Sequence, residues 1–179
     1  MFYILLLLLC LTPILFPFLR RGVLRFLMMQ KIKKFCAIRK FRLEKGRDKK
    51  NNEADFYVDT GIHLYAVRVY SALYANSSVV FSEEHTVTVR RKTSRVYYRD
   101  SNKKTVTHEG GHRAFEPLRV PRAKCKDRNV FPILLMHPTC RSIYCQRKSG
   151  VEICKNGAVI CGMKLFNEQA FLKMLQASV

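Results

Sequence analysis

The chain has 179 residues, with 33 Lys/Arg against 13 Asp/Glu and a formal net charge of +20. That balance suits an anionic partner, whether lipid, RNA or DNA. It contains no P-loop, dinucleotide fingerprint, nucleophile elbow or paired-carboxylate site, and no internal repeat, which sets aside the enzyme classes and solenoids built on them.

Residues 1–19, MFYILLLLLCLTPILFPFL, carry no charged side chain, and residues 20–50 carry thirteen Lys/Arg against Glu44 and Asp48, a net of +11. The step predicts a transmembrane anchor over 1–19, since 19 residues at ~1.5 Å rise span roughly 28 Å of bilayer. A cleavable signal would place basic residues first and small ones last. Here Arg20-Arg21 follow the apolar run, and Phe16, Phe18 and Leu19 fill the positions a peptidase needs small. With all the charge on one side, the expected topology is a single-pass signal anchor in the cell membrane, N-terminus out and C-terminal domain cytoplasmic. Pro13 and Pro17 predict a kink in the span.

Residues 20–52 read as a basic juxtamembrane helix and linker. Over 22–43, Leu24, Leu27, Met28, Ile32, Phe35 and Ile38 interleave with Lys and Arg, as in a helix lying in a lipid interface. The residues expected to bind anionic headgroups are Arg20, Arg21, Arg25, Lys31, Lys33, Lys34, Arg39 and Lys40, each contributing about 1 kcal/mol at such a surface. EKGRDKKNNE (44–53) is polar and reads as a linker.

Residues 53–179 are long enough for one domain with its own core. Alternating runs at 54–60 and 63–74 around Gly61 predict a strand pair, followed by short strands at 78–83, 86–92 and 94–100 and a turn at Ser101-Asn102. Residues 108–129 read as a long loop. NVFPILLMHP (129–138) predicts a central strand covered on both faces, with Pro132 weakening its first half. RSIYCQRK (141–148) alternates, and Asn156-Gly157 between alternating runs predicts a hairpin over 151–166. Asn167 should cap a final helix with Glu168 in its first turn and Phe171, Leu172 and Leu175 as its apolar stripe. The expected class is therefore α+β: an N-terminal transmembrane helix and basic juxtamembrane helix, then a mixed β-rich domain with a C-terminal helix.

Two constellations have metal-ligand residue types. His108-Glu109-Gly110-Gly111-His112 matches H-E-x-x-H, which needs one helical turn to converge its imidazoles, with Glu116 or His137 nearby as third ligand. Two adjacent glycines each cost such a turn roughly 1 kcal/mol, so the segment reads as a polar turn. The seven cysteines (10, 36, 125, 140, 145, 154, 161) include a His137–Cys161 stretch without a second tight pair, and read as free thiols. No metal, cofactor or catalytic residue is assigned.

ADFYVDTGIHLYAVRVYSA (54–72) resembles the central hairpin of the restriction-endonuclease-like, PD-(D/E)XK superfamily. Asp55 matches the family's Asp, whereas Arg68 and Tyr70 occupy the E-x-K positions. The resemblance implies a nuclease-like sheet without its Mg²⁺ site. The wider layout is similar to uncharacterised single-span bacterial membrane proteins. The expected function is a membrane-anchored, non-enzymatic module holding a protein or nucleic-acid partner at the cytoplasmic face. The alternative is a metal-dependent hydrolase, either a degenerate nuclease around Asp55 and Asp59 or a zinc enzyme at His108–His112.

Overall fold

The computed structural model describes residues 2–46, 52–72, 76–95, 104–125 and 129–178. Helix α1 (Phe2–Ile38) runs unbroken through Pro13 and Pro17. It ends in a Schellman motif: the Phe41 N–H donates to the Cys36 carbonyl at 2.8 Å and the Lys40 N–H to the Ala37 carbonyl at 3.3 Å. Lys40 sits at φ 59°, the left-handed position glycine usually fills.

α1 overturns the expected anchor. Of the α1 residues whose side chains are described, Phe16 and 18–38, no stretch is long and apolar enough to cross a membrane. The helix does not stop at the basic collar but continues through it, so 16–33 takes in Arg20, Arg21, Arg25, Lys31 and Lys33. Its far half is bound to protein, with Met28, Ile32 and Cys36 at most 1% exposed. The transmembrane span, and the membrane, single-pass and signal-anchor character read from it, are not met. The separate juxtamembrane helix is likewise the second half of α1, and its inward face packs on the protein's own sheet.

Twelve strands follow among the described residues: β1 Arg42–Lys45, β2 Phe56–Asp59, β3 His63–Tyr70, β4 Ser77–Ser82, β5 Thr86–Arg95, β6 Lys104–Glu109, β7 Arg113–Ala114, β8 Asn129–Met136, β9 Ser142–Arg147, β10 Gly150–Ile153, β11 Val159–Ile160 and β12 Met163–Asn167. Helix α2 (Glu168–Gln176) closes the chain. One sheet has the order β1-β2-β3-β8-β12-β11; the other has β10-β9-β4-β5-β6, with β7 beside β5. Both are mixed: β8 is parallel to β3 and β12, and β4 is parallel to β9, while the remaining pairs are antiparallel. β1 takes in the end of the expected basic helix (Arg42, Leu43) and the start of the segment read as a linker (Glu44, Lys45), and it pairs with β2. Residues 47–51 and the Ser101-Asn102 turn lie outside the described residues.

β8 alternates between two cores. Ile133 and Leu135 join Phe56, Val58, Tyr65 and Val67 beneath Met28, Ile32 and Cys36 of α1 and Phe171 and Leu175 of α2. Leu134 and Met136 face Val79, Phe81, Val87, Cys145 and Phe115. The result is three layers: helices, first sheet, second sheet. Each fully buried Ile, Leu, Phe or Met contributes about 1.5–3 kcal/mol, so the three inward side chains of α1 are a substantial part of the fold.

The loop read over 108–129 contains the end of β6, all of β7 and the buried Phe115. The Asn156-Gly157 hairpin is also corrected. Those residues form a turn in which the Ala158 N–H donates to the Lys155 carbonyl, but the turn carries the chain from β10 in the second sheet to β11 in the first. The tight hairpin lies at Cys161-Gly162, both at positive φ (48° and 75°), with Ile160 opposite Met163. β10 instead pairs with β9, and Cys145 within β9 forms a disulfide with Cys154 just after β10, so they are not the free thiols expected.

Candidate interaction surface

α1 presents two apolar faces. Met28, Ile32 and Cys36, at i, i+4 and i+8, point into the core. Phe16, Leu19, Val23 and Phe26, at i, i+3, i+7 and i+10, form a second stripe on the opposite side. These four are 56–65% exposed, and Leu27 beside them is 49% exposed. Arg20, Lys33 and Lys34 are exposed on the same outward half. Among the described side chains of α1, contact with the domain begins at Arg21, since Phe16, Phe18, Leu19 and Arg20 are all exposed.

The eight basic residues expected to act together divide into two groups. Arg20, Lys33, Lys34, Arg39 and Lys40 are exposed, and Arg21 is half-buried. Arg25 and Lys31 tie the helix to the domain. Arg25 Nη2 lies 2.6 Å from Asp55 Oδ1, while Asp55 Oδ2 accepts the Val69 N–H at 2.8 Å. Lys31 Nζ lies 2.9 Å from Glu168 Oε1, at the first turn of α2. The other carboxylate oxygen of Glu168 lies 3.0 Å from His137 Nδ1, and His137 Nε2 lies 3.0 Å from the Leu24 carbonyl. Both ring nitrogens thus face acceptors, and the imidazole links α1 to the capped end of α2. Asn167 caps that helix by accepting the Ala170 N–H at 2.8 Å.

The nuclease-like positions are not brought together. Asp55 faces α1 and is engaged by Arg25. Arg68 and Tyr70 project from the opposite side of the sheet, where the Arg68 guanidinium lies 5.6 Å from the centre of the Phe115 ring and Tyr70 packs edge-on to Phe81 and Phe115. Arg68 donates to the Glu116 carbonyl at 2.5 Å and the Asn52 carbonyl at 2.7 Å. Burial pulls the Arg68 guanidinium below its ordinary value and pushes the Tyr70 phenol up. Asp59 Oδ1 accepts the Gly61 N–H at 2.9 Å and serves the β2–β3 turn. His108 and Glu109 lie on β6 and His112 beyond it, with no helical turn between them; His112 Nδ1 meets Thr88 Oγ1 at 2.8 Å. Among the described residues no cluster of three or more His, Cys, Asp or Glu could hold a metal ion.

No family model, curated protein or solved structure matches the chain. A reading of its function therefore rests on its own surfaces. The outward Phe16–Phe26 stripe is hidden in the sequence because its first half falls within the apolar run that reads as a span. The signal that separates it is spacing: two apolar series lie on opposite sides of one helix, and only one can face the sheet.

Proposed function

We propose that this protein is a non-enzymatic interaction module that lies on an anionic lipid surface through the outward face of α1, leaving the two-sheet body free to hold a protein or nucleic-acid partner there. No spanning segment belongs to this reading; the helix rests in the interface plane. The observation that carries it is the exposed Phe16, Leu19, Val23, Phe26 and Leu27 set among exposed Arg20, Lys33 and Lys34. Large apolar side chains gain when removed from water, and each basic residue adds about 1 kcal/mol beside anionic headgroups. A nucleic acid on this face would satisfy the cations but leave the apolar stripe uncovered. A second copy would cover the stripe but set one strongly basic collar against another.

The test is co-sedimentation of the full chain with vesicles. Binding is expected to phosphatidylserine-containing vesicles, with release by salt, and loss in a Leu19→Asp, Phe26→Asp variant. Equal binding to neutral vesicles, or undiminished binding by that variant, overturns the proposal. A stable dimer in solution that the same variant splits assigns the face to a second copy instead.

A further inference from the structure

Where α1 crosses the β1–β2 hairpin it leaves a cleft of about 470 Å³, on the flank of the helix between its core-facing side and the outward stripe. Phe56, fully buried, forms part of its wall, and half-buried Met29 and Leu43 complete the apolar lining. That volume falls within the roughly 300–1,000 Å³ of small-molecule sites, which are also mainly apolar with a few charged groups at defined points. The charges around it are unequal. Asp55 is engaged by Arg25 and Glu44 by Lys124 and Arg42. Lys33 and Lys45 also line the cleft, both exposed, and neither has an acidic partner among the described residues.

We infer that this cleft binds a single-chain anionic amphiphile, an alkyl phosphate or fatty carboxylate, with its tail against Met29, Leu43 and Phe56 and its head between Lys33 and Lys45. The assignment follows from complementarity. The walls offer an alkyl chain a surface that water covers poorly, and the two lysines supply net positive charge where the head would lie. A wholly polar anion would leave the lining unused, and an uncharged amphiphile would leave the lysines unpaired. Lys33 is shared with the outward half of α1, but Lys45, Leu43 and Phe56 belong to the hairpin, so the inference does not rest on lipid docking.

The experiment is calorimetric titration of the full chain with decyl phosphate, decyl maltoside and inorganic phosphate, the amphiphiles below their micelle-forming concentrations. One decyl phosphate should bind per chain, decyl maltoside at least about 10-fold more weakly, and inorganic phosphate not detectably, because either half alone forfeits on the order of 1.4 kcal/mol or more. Lys45→Glu, an exposed change, should weaken decyl phosphate binding about 10-fold or more. Leu43→Trp should fill the cleft and abolish binding, with retained folding checked by circular dichroism. Leu19→Asp, more than two helical turns from Met29, should leave it unchanged, which separates this site from vesicle docking. Equal affinity for decyl phosphate and decyl maltoside, saturable binding of phosphate alone, or indifference to Lys45→Glu overturns the inference.

Discussion

Truncating Ile32 to alanine should destabilise the fold by about 3 kcal/mol. Ile32 is 0% exposed, in the layer where α1 meets Phe56, Val67, Ile133 and Leu135, with Phe171 of α2 alongside. An Ile→Ala change at a site that cannot collapse costs about 2–5 kcal/mol, the transfer loss plus the cavity left behind. Three sheet strands and a second helix hold this cavity open, which argues for the middle of that range. The chain has no tryptophan, so urea unfolding is followed by far-ultraviolet circular dichroism. With a slope of ~1–3 kcal/mol per molar urea, the midpoint should fall by ~1–3 M. The matched control is Phe26→Ala, on the outward side at 61% exposure, which should stay within about 0.5 kcal/mol of the parent. A loss below about 1 kcal/mol for Ile32→Ala, or a larger loss for Phe26→Ala, would refute the assignment of the two faces of α1.

Asp55→Ala strips the Val69 N–H and Arg25 of an acceptor and is expected to cost about 1–3 kcal/mol in the same urea assay; a neutral result would show that the pair is dispensable. His137→Ala removes the link between the Leu24 carbonyl and Glu168, so amide hydrogens of residues 24–31 should exchange faster in hydrogen–deuterium mass spectrometry, and unchanged exchange contradicts the link. Lys40→Gly relieves a left-handed backbone position and should raise stability by up to about 1 kcal/mol; a decrease would count against the Schellman ending. Burial pushes the Cys36 thiol up from 9.0 to about 11, so the folded state favours the neutral form. Its stabilising effect is complete below about pH 9 and is lost as pH rises through about 11. Cys36→Ala should flatten that alkaline slope, and parallel pH curves for parent and variant would refute the burial.

What could be read in the sequence was local. Asn167 and Glu168 announce the start of α2 through their own side chains, and the unbroken apolar run of β8 announces a strand with two covered faces. What could not be read depends on distant partners. The spacing of Met28, Ile32 and Cys36 is visible, but whether lipid or protein covers it is decided by Leu135, Phe171 and Leu175, more than ninety-five residues later. Asn156-Gly157 has the residues of a hairpin turn and does turn; β10 nonetheless pairs with β9, and the tight hairpin falls one step on at Cys161-Gly162. Asp55, Arg68 and Tyr70 have a suggestive spacing, yet only the observed packing places the acid and the two replacements on opposite sides of the sheet. Lys40 gives no sign of its left-handed position, because that conformation is ordinarily signalled by glycine.

The parallel pairing of β8 with β3 and β12 sets a timetable for synthesis on the ribosome. The inward side of α1 is made early, but three of the residues that cover it, Leu135, Phe171 and Leu175, are made late. At ~5–20 residues per second, Ile32 waits on the order of ten seconds for Phe171. During that interval the nascent chain exposes both apolar sides of a basic helix. A chain that had not yet reached Leu175 would lack that part of the cover, so the inward side of α1 stays incompletely packed until α2 has been made.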